Sequence, residues 1–495
     1  MSGCHIKIAN FEFAAEEIEA AVRNKRLLSM EIDFSVHCNF HCPYCYISEK
    51  SSIENELTIE EIHDVILQAK NLGAKRIIIL GGEPMIYPHT LDVIEFIRGQ
   101  DIEVEMFTNG SLITADVAKQ LFNNNARVVL KMNTLFEDIQ DMLAGKKGAF
   151  QVIQDAFKNL RDAGYPSRGA LLAVDTIICR QNIGELVNMW QWLRDQNIVP
   201  YFEMITPQGN AKQNEWLNVD PVKLHEVFCE IAEVDRTRYG RIWEPQPPLM
   251  GNKCLRHQFS CLITSQGDVM PCVGVTISVG NIREKKLQDI LEDSEVIRDL
   301  RDYRNTIKGP CRTCEKADHC YGCRGSAYQI TGDYLASDSL CWKNINRQGD
   351  IVHLPVAVNE IIPQKSPMRI VDTLVRVAEG GGDITVKVSD DMLFMGEDGM
   401  LDETAYLEMM AQAIAAVNGF RQMGTPGIVP EGLLLGAKKL KILGGAQVGD
   451  ILTISVLKCG QFGDFSIVKG AVSRDNNVLA QGEIKVWQNT GGRDG

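Results

Sequence analysis

No run of about 18 apolar residues occurs anywhere in these 495 residues, so no membrane-spanning helix is predicted. The opening Met1-Ser-Gly-Cys-His-Ile-Lys7 has no apolar leader stretch, and the expected location is cytoplasmic. Positive charge is in deficit. Lys and Arg total 51 against 65 Asp and Glu, a net charge of −14, and no basic stripe interleaved with aromatics appears. A nucleic-acid partner is therefore not expected. No internal repeat is present beyond an alternation of strand-like and helix-like segments. What the chain has in quantity is cysteine, 15 residues of it. With no leader, disulfides are the poor reading of so many thiols and metal sites the good one. The length suits about three domains, and 45% hydrophobic content is ample for several cores.

Three of the thiols stand in Cys38-Asn-Phe-His-Cys42-Pro-Tyr-Cys45, just after the alternating segment Glu31-Ile-Asp-Phe-Ser-Val36. Thiolates are the ligands iron–sulfur clusters select, and four would close a [4Fe–4S] cube. Three leave one iron open to a substrate or cofactor. A zinc knuckle or a chance group of core thiols is the alternative. A few dozen residues on, Lys75-Arg-Ile-Ile-Ile-Leu80 reads as a buried strand ending at Gly81-Gly82-Glu83-Pro84. Two glycines there would let the backbone approach a ligand closely, and Glu83 offers an acceptor to an ammonium group. Further strands are predicted over 102–107, 127–132, 171–178 and 198–205. Helical patterns lie between strands, as in 58–72, which opens with a Thr58-x-x-Glu61 capping box.

These residues resemble the radical S-adenosylmethionine enzymes. The resemblance implies an α/β partial (β/α)6 TIM-like barrel with its active face at the C-terminal strand ends. It implies that Cys38, Cys42 and Cys45 hold a [4Fe–4S] cluster whose open iron chelates the methionine end of S-adenosylmethionine. An electron, from a donor such as flavodoxin or ferredoxin, would then yield a 5′-deoxyadenosyl radical. Gly81, Gly82, Glu83 and Pro84 match the motif that holds the methionine amino group. Tyr44 matches the aromatic position near the adenine. Asn109 and Asn133 are the further cofactor contacts, although Lys131-Met-Asn133 replaces the Ser-x-Asp of many relatives.

Eight more cysteines follow as Cys254-x6-Cys261-x10-Cys272 and Cys311-x2-Cys314-x5-Cys320-x2-Cys323-x17-Cys341, with Gly267 five residues before Cys272. Eight thiols suffice for two four-ligand sites, and two zinc ribbons are the plain alternative. The pattern resembles the SPASM extension, which carries two auxiliary [4Fe–4S] clusters. That resemblance assigns Cys254, Cys261, Cys272 and Cys323 to one cluster and Cys311, Cys314, Cys320 and Cys341 to the other, in an electron-transfer role. Sulfatase-maturing relatives place a catalytic Asp directly after the Gly-x4-Cys cysteine. Here Val273 stands there, so that reaction is not expected.

Beyond Asp350 the character changes. The segment 402–420 is apolar nearly all round and predicts a buried helix. Strands are predicted over 432–443, 450–458, 464–473 and 478–487, the last two joined through Asp475-Asn-Asn477. One helix wrapped by an antiparallel sheet is a small α+β hotdog. Ile362 to Asp372, Leu407-Glu-Met-Met-Ala-Gln412 and Val448-Gly-Asp450 resemble the 3-hydroxyacyl carrier-protein dehydratases. Glu408 matches their catalytic carboxylate. Their histidine position falls near Phe394 and Met395, and no histidine occurs from Ser389 to Glu408. Dehydratase chemistry is therefore not expected. Glu408 and Gln412 can equally be a satisfied polar pair within the helix packing.

The expected domains are an N-terminal extension (1–28), the barrel (29–215), a bridge (216–250), the cluster domain (251–345), the hotdog (351–490) and a tail (491–495). The expected function is hydrogen abstraction from a small molecule linked to an acyl group or carrier protein. The alternatives are a peptide-modifying maturase with the hotdog as a binding or dimerisation module, and an iron–sulfur scaffold without catalysis. A homodimer is expected, since hotdogs usually pair.

Overall fold

Six parallel strands form the frame of the larger of two structural units: β1 (Ser29–Asp33), β2 (Arg76–Leu80), β3 (Glu103–Thr108), β4 (Arg127–Lys131), β5 (Leu172–Ile178) and β6 (Val199–Met204). Each pairs with the next in parallel. β1 and β6 are not neighbours, so the barrel stays open. Instead β1 adds β7 (Leu262–Ile263) in parallel, and β8 (Asp268–Met270) and β9 (Gly280–Asn281) continue the sheet antiparallel. The computed structural model describes residues 13–47, 54–167, 169–423 and 432–488. The larger unit takes the chain up to 307 together with 311–330 and 337–348, and the smaller takes 308–310, 331–336 and the chain from 349.

Side chains alternate across a strand with a period of two. One face carries Met30, Ile32, Ile77, Ile79, Val104, Met106, Val128 and Leu130, all buried. The other face turns inward. There Ile78, Leu80 and Leu262 pack with Phe107, Met270 and Val273. The same alternation sends Glu31, Asp33, Lys131, Asp175, Tyr201 and Glu203 into the lumen. Barrel interiors are usually filled by branched apolar side chains; this one is charged. The helix Ile59–Asn71 closes the first crossover, and its capping box forms as expected. The Thr58 hydroxyl accepts from the Glu61 N–H at 3.3 Å, and the Glu61 carboxylate accepts from the Thr58 N–H at 2.9 Å.

The smaller unit is the expected hotdog. Its strands are β10 (Val356–Ala357), β11 (Thr373–Ala378), β12 (Gly381–Lys387), β13 (Gly432–Ile442), β14 (Ile451–Phe462), β15 (Phe465–Arg474) and β16 (Asn477–Gln488). They lie in the order β10-β11-β12-β14-β15-β16-β13. The turn from β15 to β16 uses positive φ at Asp475 and Asn476, a conformation these residue types tolerate. The central helix Ala405–Gln422 buries Tyr406, Met409, Met410, Ala413, Val417 and Phe420 against the sheet. Besides the chain from 349, this unit takes in 308–310 and 331–336. Lys308 donates to the Phe420 carbonyl at 2.9 Å and pairs with Asp333 at 2.8 Å, and Leu354 N–H donates to the Thr331 carbonyl at 2.7 Å.

Candidate active site

The cysteine loop leaves β1 and is held by backbone contacts to its neighbours. The N–H of Gly82 donates to the Ser35 carbonyl at 2.8 Å and that of Glu83 to the His37 carbonyl at 2.7 Å. A Cβ on Gly81 would stand 2.4 Å from the Ser35 oxygen, and one on Gly82 2.0 Å from the His37 oxygen. The sequence reading gave that space to a ligand; the protein's own backbone takes it, which ties the Gly-Gly turn to the approach of the cysteine loop. The thiols of Cys38, Cys42 and Cys45 lie close enough to raise one another's pKa. Burial is the larger cause and pushes Cys42 up to about 12 and Cys45 up to about 11. Binding as thiolates therefore requires a cationic centre to compensate.

Glu83 sits between this loop and β3. Its carboxylate accepts from the Thr108 hydroxyl at 2.7 Å, the Asn109 N–H at 2.7 Å and the Met85 N–H at 3.1 Å. Burial raises its pKa and these bonds oppose the rise. Pro84 begins the short turn that follows. The Asn109 amide reaches Cys38 Sγ at 3.8 Å and the Asn39 oxygen at 2.9 Å, so one side chain links Glu83's neighbourhood to the thiol. Asn133 is wholly buried. Its amide donates to the Tyr44 hydroxyl at 2.7 Å, and its oxygen accepts from the Ile177 N–H at 2.9 Å. The structure thus brings Tyr44 and Asn133 together, and it spends the Asn133 side chain on holding that ring. Lys131 lies 5.1 Å from the centre of the same ring and pairs with Asp175 at 2.6 Å.

The second set of thiols divides into neighbourhoods. Cys254 and Cys272 act electrostatically on Cys323, and Cys311 and Cys320 act on Cys341. Cys314 and Cys341 both act on Lys343. Cys261 stands apart, with Arg301 and Glu31 as its charged neighbours. Backbone and amide N–H groups donate to Cys38 at 3.4 Å, Cys320 at 3.3 Å, Cys323 at 3.3 Å and Cys311 at 3.4 Å. Such N–H···S bonds favour thiolates and tune cluster potentials, and all eleven thiols are free of disulfides, so the donor set fits thiolate-held clusters. Among the described residues no three His, Cys, Asp or Glu side chains crowd onto one point as around a single ion. Val273 packs on the apolar side of the lumen and offers no base.

Reading the sequence missed five charged lumen residues: Glu31, Asp33, Asp175, Glu203 and Arg256. Arg256 pairs with Glu31 and donates to the Tyr201 hydroxyl at 2.5 Å. Burial pushes the Asp33 carboxyl up to about 7, against a 3.2 Å hydrogen bond from Tyr46. Burial also pushes Glu203 up to about 7, the Asp175 carboxylate adding to the rise and Lys131 and Arg256 opposing it. The signal was there: charged residues at alternate positions inside otherwise apolar strand segments.

In the hotdog, Glu408 accepts from Gln412 at 2.8 Å; Gln412 also donates to the Met368 carbonyl at 2.7 Å and accepts from the Ile370 N–H at 3.0 Å. Phe394 and Met395, near which the dehydratases' histidine position was expected, pack against the apolar core. The polar pair is satisfied and the acid–base pair is incomplete.

Residues 32–193 match the model of the radical SAM superfamily, 254–315 that of an iron–sulfur cluster-binding (SPASM) domain, and 356–494 that of the ApeP dehydratases. Together they define a radical SAM enzyme of the SPASM type with a dehydratase-like hotdog domain, for which [4Fe–4S] clusters and S-adenosylmethionine are the cofactors. The chain is 27% identical to an AdoMet-dependent heme synthase of Methanosarcina barkeri over 342 residues, 64% of this chain and 96% of that one. It is 29% identical to a PqqA peptide cyclase of Streptomyces rochei over 63% of this chain and 88% of the other. SuiB of Streptococcus suis, solved with S-adenosylmethionine, shares the fold at a TM-score of 0.51 and 18% identity, over 66% of this chain and 81% of that one. No helix among the described residues is long and apolar enough to cross a membrane.

Proposed function

We propose that the barrel abstracts hydrogen from a peptide substrate in its lumen, and that the hotdog is a binding and dimerisation module without dehydratase activity. The supporting observation is the meeting of Cys38, Cys42, Cys45, Glu83 and Asn109 at the C-terminal strand ends. When bound, the cluster and S-adenosylmethionine supply a 5′-deoxyadenosyl radical. Cys38, Cys42 and Cys45 would hold that cluster, and Glu83 would accept from the methionine ammonium with the acceptor capacity its three donors leave free. Thr108 and Asn109 fix the carboxylate's orientation. Asn133 holds the Tyr44 ring beside the loop, and Lys131 covers that ring. The eleven cysteines as cluster ligands, and the crossed pairing of the auxiliary set, are part of the same reading.

Substituting Cys38, Cys42 and Cys45 by Ala should abolish 5′-deoxyadenosine formation under dithionite in anaerobically reconstituted protein. Product from the triple variant would refute the assignment, and a purely structural scaffold would make none even in the wild type. The peptide reading draws support from the PqqA peptide cyclase likeness. An acyl or carrier-tethered substrate remains the second reading, favoured by the hotdog's likeness to the ApeP dehydratases and by Glu408 held in place by Gln412. Deuterium passing into deoxyadenosine from a labelled acyl thioester, and not from labelled peptide, would decide for the second.

A further inference from the structure

We infer that the barrel's substrate carries a cationic nitrogen, an alkylammonium or guanidinium group, and seats it against Glu203. The inference rests on the reading that the lumen is the substrate chamber. Glu203 is the last inward residue of β6, at the end where the cysteine loop lies. Among the described residues its carboxylate makes no hydrogen bond or ion pair, and the residue keeps some accessible surface. The cations facing it are already engaged: Lys131 on β4 with Asp175, and Arg256 with Glu31 and Tyr201.

Two further oxygens support this. Asp175 Oδ1 and Glu31 Oε2 have no hydrogen-bond partner among the described residues, and the two residues are only 5% and 1% exposed. Both lie on the lumen face and act electrostatically on Glu203. Around Glu203, three carboxylates (Glu31, Asp175, Glu203) thus face two cations (Lys131, Arg256), so acidic groups outnumber basic ones there. An unpaired carboxylate in such a setting is costly, and an entering cation offsets the cost. A neutral acyl chain offers no such compensation, and a polyanion would worsen the imbalance. The apolar side of the lumen, Ile78, Leu80 and Phe107, suits the methylene stem of a lysine or arginine.

The test uses full-length, anaerobically reconstituted protein loaded with S-adenosylmethionine. Calorimetry compares Nα-acetyl-lysine methylamide with Nα-acetyl-norleucine methylamide, which has the same stem without the nitrogen. The lysine probe should bind at least about tenfold tighter, the worth of one charge-assisted hydrogen bond. Glu203→Gln should cut the preference below about threefold, Glu203→Asp should keep most of it, and cofactor affinity should stay unchanged. Equal binding of the two probes, no binding of the lysine probe, or a preference surviving in Glu203→Gln would overturn the inference. So would a fall in cofactor affinity in that variant, which would assign the carboxylate to the sulfonium instead. None of these readings requires turnover, so the inference can fail while radical formation stands.

Discussion

The Glu203 side chain makes a prediction that needs no substrate. Its folded-state pKa is raised, from 4.5 to about 7. A carboxyl raised on folding is most favourable to the folded state when protonated, below its unfolded pKa. Its contribution falls as pH climbs from 4.5 toward about 7, and the cost is full above that. Glu203→Gln removes the titration. The variant should melt with the wild type at pH 4.5 and above it at pH 8, the gap opening between. A gap independent of pH, or a variant melting lower at pH 8, would show that the carboxylate is already compensated. Asn133 belongs at this scale too. The sequence offered it as a cofactor contact, although it stands where many relatives carry Ser-x-Asp. What the sequence could not show is that its amide is committed to Tyr44 and Ile177, since that follows from how β4 meets the cysteine loop, 89 residues away in the Tyr44 pairing.

At the scale of elements, short-range patterns were legible and registers were not. The Cys38 to Cys45 spacing, the Thr58 capping box and all six barrel strands rest on residues within one turn or one strand, so the sequence carries them whole. The charged lumen depends on which face of β5 and β6 turns inward, and that is settled only when neighbouring strands pair. The central helix of the hotdog gives the test. Gly419 lies within it, and a Cβ there would sit 2.0 Å from the Ile361 carbonyl oxygen. Alanine gains about 1 kcal/mol in helix propensity, but overpacking against backbone costs about 1–3 kcal/mol. With an oxygen that close the clash wins. Gly419→Ala should destabilise the hotdog by about 2 kcal/mol in denaturant titration, near the upper end of that overpacking range. A stabilised variant would mean that the helix does not lie against this carbonyl.

For the whole molecule, the expected homodimer has a specific edge. Among the described residues β13 pairs only with β16 and has no strand on its other side, and Leu433 and Leu435 on it are 60% and 48% exposed. Such an edge invites a second copy. Light scattering should give twice the mass of one chain, falling to one chain in Leu433→Lys/Leu435→Lys. A monomeric wild type removes the proposal. Likeness to three families was legible from cysteine spacing and hotdog motifs. The excursions at 308–310 and 331–336 were not, because nothing local marks Lys308 and Asp333 as members of the second unit.

Those excursions bear on how interchangeable the C-terminal module is. Lys308 keeps its ammonium between Asp333 and the Phe420 carbonyl, with the Phe420 ring 4.2 Å away. A chimera that grafted another hotdog at residue 350 would leave that ammonium without its carbonyl acceptor and its aromatic cover. The replacement would have to bring both, so the gene's third segment cannot be traded as a free-standing cassette.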